Sequence, residues 1–309
     1  IISMTQTRLG KIIGIDENNV QTFLGIRYGE PPTNDQRFKP SIASGSWKNT
    51  FDATSFPNRA MQLKMVDADG RKIPGQVSED CLFMNIYTPK NISKLAPVLV
   101  WMHGGALKNG SANEFDGSVL AEQQQVVVVT LNFRLGVFGF VDFSRFGSEY
   151  AGSASNGIRD AILALQWIQD NIEEYSGDPS NVTISGESSG GTMVLSLLGC
   201  PSANSLYQKA IACSPTCAYR DLEDPTKKIR LALNINTDDY LTPMLAMSPV
   251  DICNLELGFG PHVDGEVIKE STFQAIKSRS KNGVPLIIGS NSREGTLYTE
   301  GKDQDQPHY

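Results

Sequence analysis

Hydrophobic positions in the first third of the chain fall in short runs broken by turn residues. The segments 8-RLGKIIGI-15, 20-VQTFLGI-26 and 83-FMNIYTP-89 are rich in β-branched and aromatic residues and are bounded by Gly, Asn and Pro, a pattern that predicts strands. Two further runs, 97-PVLVWM-102 and 126-VVVVTLNF-133, are apolar without alternation, as expected for strands covered on both faces. From Asn156 the period changes. Ile158, Ile162, Leu165, Ile168 and Ile172 recur every three or four residues, so 157-GIRDAILALQWIQDNIEEY-175 is expected to be an amphipathic helix, ended by 176-SGDPSN-181. Next come a short strand 182-VTIS-185, a Gly-rich turn, a helix-like 192-TMVLSLLGC-200 and a strand 208-QKAIACS-214. After a polar, less patterned region from about 218 to 280, 284-VPLIIGS-290 reads as one more buried strand. This alternation predicts the α/β class with a parallel, helix-covered sheet. Internal repeats, low-complexity tracts and linkers are absent, so 1–309 is expected to be a single domain.

Composition narrows the partners. With 309 residues, 40% hydrophobic and 20% charged, the chain can bury a large core, and no uninterrupted apolar stretch has the length of a membrane span. It reads as a soluble globular protein. Lys and Arg total 27 against 34 Asp and Glu, a net charge of −7 with no basic run, which argues against nucleic acid and for small-molecule partners. The five cysteines (Cys81, Cys200, Cys213, Cys217, Cys253) are too few for a disulfide scaffold, and Cys213 and Cys217 lack a second pair to complete a metal site. All five are expected to be buried small hydrophobes. Asn91, Asn109 and Asn181 match glycosylation acceptors, a pattern too short to fix a compartment. No secretory leader is visible from Ile1 onward.

The candidate chemistry centres on Gly186-Glu187-Ser188-Ser189-Gly190. This Gly-x-Ser-x-Gly pattern lies between a predicted strand and a predicted helix, the context in which it marks a nucleophilic serine. A strained turn there pushes Ser188 out at the carboxyl end of the sheet, toward the amides that begin the following helix. Acyl transfer also needs preorganised amide donors for a tetrahedral oxyanion. His103-Gly104-Gly105-Ala106, directly after an apolar strand, supplies such a loop, and the expected donors are Gly105, Ala106 and Ser189. Trp101 and Trp167 are expected to pack in the core.

Taken together, 25-GIRYGEPP-32 with Arg37-Phe38, 78-SEDCLFMNIYTP-89, 100-VWMHGGAL-107, 131-LNFRLGVFGF-140, 167-WIQDNIEEYSGDPSNVTISGESSGG-191 and 288-IGSNSREGTLY-298 resemble the type-B carboxylesterase/lipase family, the α/β-hydrolase branch that includes cholinesterases. The resemblance runs from about residue 8 to 297. It implies an α/β-hydrolase fold: a mostly parallel central sheet flanked by helices, with an N-terminal antiparallel portion. It further implies ester hydrolysis through a Ser–His–Glu triad and an acyl-enzyme, without cofactor or metal. Its acid corresponds to Glu294 in 289-GSNSREG-295, with Glu187 shaping the local field.

A serine needs a general base, and the chain holds three histidines. His103 belongs to the oxyanion loop, His262 lies in 261-PHVDGEV-267 before the acid, and His308 lies in 303-DQDQPHY-309. The family places its base far downstream of the acid, so the chain is expected to be the N-terminal portion of a longer enzyme, with a second chain as one source of the base. A chain truly ending at Tyr309 would turn over weakly or not at all. Arg71 stands where cholinesterase-like relatives place a choline-binding indole, and no cysteine precedes Cys81 to close their lid loop. Short- to medium-chain acyl esters are therefore the expected substrates, and the missing bridge leans toward a cytoplasmic location, or an extracellular one if a leader was removed. The rival expectation is a hydrolase-fold binding or adhesion protein that has lost the chemistry.

Overall fold

The computed structural model describes residues 1–217, 220–279 and 283–299. Strands β1 (Ile2–Thr7), β2 (Gly10–Glu17) and β3 (Val20–Arg27) form an antiparallel meander. The β2–β3 hairpin closes through Asn18 and Asn19, both left-handed (φ 49° and 59°), the geometry of a tight two-residue turn that asparagine tolerates. β4 (Phe51–Asp52) adds to β2, while β5 (Arg59–Ala60) and β6 (Val77–Ser78) pair separately. β7 (Phe83–Pro89), β8 (Ala96–Met102), β9 (Val127–Leu131), β10 (Gly177–Glu187), β11 (Lys209–Cys213) and β12 (Leu286–Gly289) complete a ten-stranded sheet among the described residues, in the order β1-β2-β3-β7-β9-β8-β10-β11-β12. Along that order of nine the pairing is antiparallel from β1 to β9 and parallel from there on; β4, the tenth strand, lies off the path and is parallel to β2.

Helices α3 (Asn156–Asn171) and α4 (Ser189–Leu198) lie where the period change predicts, α3 running on as a 3₁₀ turn to Tyr175, while α1 (Ser118–Gln124) and α2 (Gly136–Phe140), short helices after β8 and β9, are additions to the predicted set. Side-chain alternation along β9 separates the two faces. Val127, Val129 and Leu131 join Val100 and Ile184 under Ile158, Leu165 and Ile168 of α3 and Val194 of α4. Val128 faces the other way, with Leu24, Tyr87 and Ala121 of α1.

Three readings differ from the structure. The less patterned region holds short helices: α5 (Thr226–Leu233), α6 (Leu241–Ala246), α7 (Pro249–Asn254) and α8 (Thr272–Arg279), followed further on by α9 (Thr296–Thr299). Tyr240, Met244 and Ile252 pack there against Phe38, Phe138 and Phe143 in a core of their own. The run 284–290 does form β12, but as the margin of the described sheet and not as a buried strand: Ile287 and Ile288 are 66% and 51% exposed. Cys81 and Cys200 are buried as expected, whereas Cys217 and Cys253 are half-buried and Cys213 is exposed, because alternation along β11 leaves its two end residues uncovered. Trp167 is buried and Trp101 half-buried, its ring 5.4 Å from that of Phe115.

Two ion pairs are built into the interior. Asp160 of α3 accepts from the Arg134 backbone amide and from its Nε and Nη2 at 3.0, 2.9 and 2.8 Å, with side chains 0% and 3% exposed. Arg37 is held by Glu79 at 2.6 Å and spends its Nη1 on the carbonyl oxygens of Met244 and Met247 at 3.0 and 2.8 Å, which ties α6 to the N-terminal segment. Among the described residues no helix is long and apolar enough to cross a membrane.

Candidate functional site

β8, β10, β11 and β12 run parallel and side by side, so their carboxyl ends open on one edge of the sheet. Gly105 and Ala106 lie on the loop after β8, Ser188 on the turn after β10 and Glu294 on the loop after β12, while Ser189 opens α4.

Ser188 follows β10 with φ 56° and ψ −125°, a conformation that costs an L residue free energy and persists only where its surroundings enforce it. Its amide donates to Cys213 O at 2.9 Å, and its carbonyl accepts from Thr192 N at 3.0 Å. The flanking glycines are sterically required. A methyl group on Gly186 would stand 2.4 Å from the Gly190 backbone, and one on Gly190 would stand 2.0 Å from Met102 O. Strand and helix close around the serine only because both positions are bare.

The loop after β8 turns back through Gly105 (φ 117°), Ala106 (φ 57°) and Leu107 (φ 57°). Lys108 N and Asn109 N both donate to Gly105 O, at 3.1 and 3.0 Å. Gly105 and Ala106 are exposed, and Ser189 is the first residue of α4, where an amide has no acceptor within the helix. A methyl group on Gly104 would lie 3.2 Å from Ser188 Cβ, so this loop and the serine are neighbours.

Glu294, on the loop after β12, accepts through Oε1 from Asn291 N at 2.7 Å and from the Ser214 hydroxyl. The Ser214 hydrogen bond first, and the Asn291 amide second, hold its carboxyl below the ordinary range. Ser214 is itself left-handed (φ 47°) and donates its amide to Gly289 O at 2.7 Å, joining the ends of β11 and β12. Burial first, and then the charge of Glu294, push the Glu187 carboxyl upward. Ser214 went unseen in the sequence. Its only signal was a hydroxyl one residue beyond a parallel strand, which gains meaning once β12 is in place.

Removing that hydroxyl in Ser214→Ala is expected to raise the Glu294 pKa toward its ordinary value, because the lost donor favoured the ionised form. A carboxyl ¹³C NMR titration reads this directly, and an unmoved midpoint would leave Ser214 with no electrostatic part in the site.

The histidines are placed differently. His103 is buried, its ring stacked on Phe133 with centroids 4.6 Å apart and Nδ1 2.7 Å from Gly104 O. Burial lowers its pKa to about 4, so the ring is neutral at neutral pH. His262 lines a cavity of about 400 Å³ together with Ala106, Phe140, Lys228 and Phe259. His308 lies outside the described residues. Among the described residues no imidazole hydrogen-bonds to Ser188, and no group of three His, Cys, Asp or Glu could hold a metal.

With this geometry in view, the similarities are these. The carboxylesterase family model matches residues 3–235. The chain is 36% identical over 311 residues to a para-nitrobenzyl esterase of Bacillus subtilis, covering 94% of this chain and 63% of that protein. It is 41% identical over 324 residues to carboxylesterase 1E of Mus musculus, covering 93% and 57%. Among solved structures, a thermophilic pNB esterase superposes with a TM-score of 0.87 at 34% identity, covering 99% of this chain and 66% of that one. A carboxylesterase of Geobacillus stearothermophilus gives 0.86 at 32%, covering 96% and 63%. The chain thus spans 57 to 63% of the length of the two named relatives, and its mostly parallel sheet with flanking helices is the α/β-hydrolase fold of these structures.

Proposed function

This chain belongs to the carboxylesterase family, and from that premise we propose that it is a serine hydrolase of carboxylic esters, working through an acyl-enzyme. The observation that carries the reading is the convergence of Ser188, the bare amides of the Gly105–Ala106 turn and Glu294 on the ends of β8, β10 and β12. Ser188 Oγ attacks the ester carbonyl carbon while an imidazole takes its proton. The amides of Gly105, Ala106 and Ser189 hold the oxyanion. The alcohol leaves with the proton from the imidazolium, and water repeats the sequence on the acyl-enzyme. Glu294, kept ionised by Ser214 and Asn291, orients the imidazole and stabilises its cation. The base comes from a histidine outside the described residues, in a following segment or on a second chain.

Short- to medium-chain acyl esters suit the site, since the cavity of about 400 Å³ beside Ala106 is at the small end of ligand pockets. Arg71, exposed and 3.2 Å from Asp69, supports exclusion of a cationic choline group at that position. A second reading, a hydrolase-fold binding or adhesion protein, is favoured by one fact: no described imidazole reaches Ser188.

Mass spectrometry after a fluorophosphonate probe decides between them. An adduct that maps to Ser188, and is missing from Ser188→Ala, establishes an activated serine, and any second chain in the spectrum identifies the carrier of the base. An unlabelled wild type would leave the binding reading standing.

A further inference from the structure

We propose that the Ser189 side chain is a positioning residue: its hydroxyl latches the oxyanion loop to the serine turn. This rests on the esterase reading above, and it goes beyond the backbone-donor part assigned there to Ser189. Leu107 N donates to Ser189 Oγ at 3.2 Å, a hydrogen bond that spans 82 residues of sequence. It joins the residue after Ser188 to the residue after Ala106.

The latch matters because Ala106 and Leu107 are consecutive non-glycine residues with φ 57°. Left-handed backbone is unfavourable for both, so the conformation lasts only while other contacts enforce it. The remaining contacts on this turn are backbone to backbone: Lys108 N and Asn109 N to Gly105 O, and Gly136 N to Leu107 O at 2.6 Å. Within Gly105–Leu107 the hydrogen bond to Ser189 is a restraint that depends on a side chain; at the two ends of the loop His103 Nδ1 lies 2.7 Å from Gly104 O and Gly110 N donates to Gln62 Oε1 at 3.0 Å. Leu107 is 4% exposed, so losing the acceptor would strand a donor in a buried residue, and turning the peptide is the natural relief. Rotation of the Ala106–Leu107 peptide turns the Ala106 carbonyl and the Leu107 amide, and it releases the left-handed Ala106 backbone that fixes how the adjoining Gly105–Ala106 peptide, and with it the Ala106 amide, is presented.

The test uses Ser189→Ala, with Ser189→Thr as the variant that keeps a hydroxyl, in the protein together with any segment or partner chain it carries. Hydrogen exchange read by mass spectrometry on the peptide covering 103–110 is expected to speed up in Ser189→Ala, return toward wild type in Ser189→Thr, and stay unchanged in peptides of the sheet. Turnover of p-nitrophenyl acetate is expected to fall about 10- to 100-fold in kcat with KM unchanged, since a displaced oxyanion donor acts on the transition state alone. Unaltered exchange in Ser189→Ala, or accelerated exchange with unaltered kcat, overturns the proposal. A wild type no more active than Ser188→Ala would instead sink the esterase reading, and the exchange result alone then decides whether the latch exists.

Discussion

Replacing Ser188 by alanine is expected to abolish hydrolysis of p-nitrophenyl acetate, with kcat falling by about 10⁴- to 10⁶-fold, the range found when a nucleophile that acts as a unit with its base is removed. The fold should survive, because the hydrogen bonds that hold the turn are those of the Ser188 backbone, to Cys213 and Thr192. Its strained backbone gives a second reading of the same position. At φ 56° and ψ −125°, Ser188→Gly has no Cβ to accommodate, so it should be more stable than Ser188→Ala by about 1 kcal/mol or more in urea unfolding. Equal midpoints would mean that the turn stores no strain. Residual activity in Ser188→Ala near wild type would assign hydrolysis to another group.

The largest effect on stability is expected at Asp160. It is fully buried and receives three hydrogen bonds from Arg134, while Arg134 Nη1 is used on Lys39 O at 2.7 Å. Burial, the largest single influence, would lower the Arg134 pKa, but the charge and hydrogen bonding of Asp160, together with Cys81 and Tyr28, raise it, so the guanidinium stays charged in the interior. Asp160→Ala strands that charge and should cost about 3–5 kcal/mol, the usual penalty for breaking a buried pair from one side. Replacing both partners by apolar residues of similar volume, as in Arg134→Met with Asp160→Leu, should recover much of the loss. Chemical denaturation of the two variants separates these outcomes. A single Asp160→Ala costing under about 1 kcal/mol would show that water or another anion reaches Arg134.

The sequence made the central strands legible because each is decided locally. β9, read from 126-VVVVTLNF-133, is buried at every position, and β7 begins and ends where the run 83-FMNIYTP-89 does. The serine turn was legible for a similar reason: Gly186 and Gly190 answer a steric demand within a few residues of each other. What stayed hidden depends on distant partners. Helices α5 to α8 are six to eight residues long, too short to persist by propensity; α5 to α7 acquire an apolar face against the cluster of Phe38 and Phe143, and α8 places Ala275 in the main core. Leu286, Ile287 and Ile288 look like any buried run, since an apolar sequence cannot report whether a neighbour lies across it. Ser214 finds Glu294 across 80 residues, and no spacing rule links them.

That last feature bears on how the protein is made. The bonds that create the site join residues 80 to 85 apart: Ser214 to Glu294, Leu107 to Ser189, and Ser185 to Val100 in the strands beneath. Each closes a long loop before any contact rewards it, the circumstance in which parallel sheets assemble slowly. A chain emerging during synthesis therefore presents Ser188 well before Glu294 exists to face it, with β8 and β9 offering apolar edges in the meantime. The price of gathering chemistry from four strands is a nascent protein that must be shielded from its own kind until the last of them arrives.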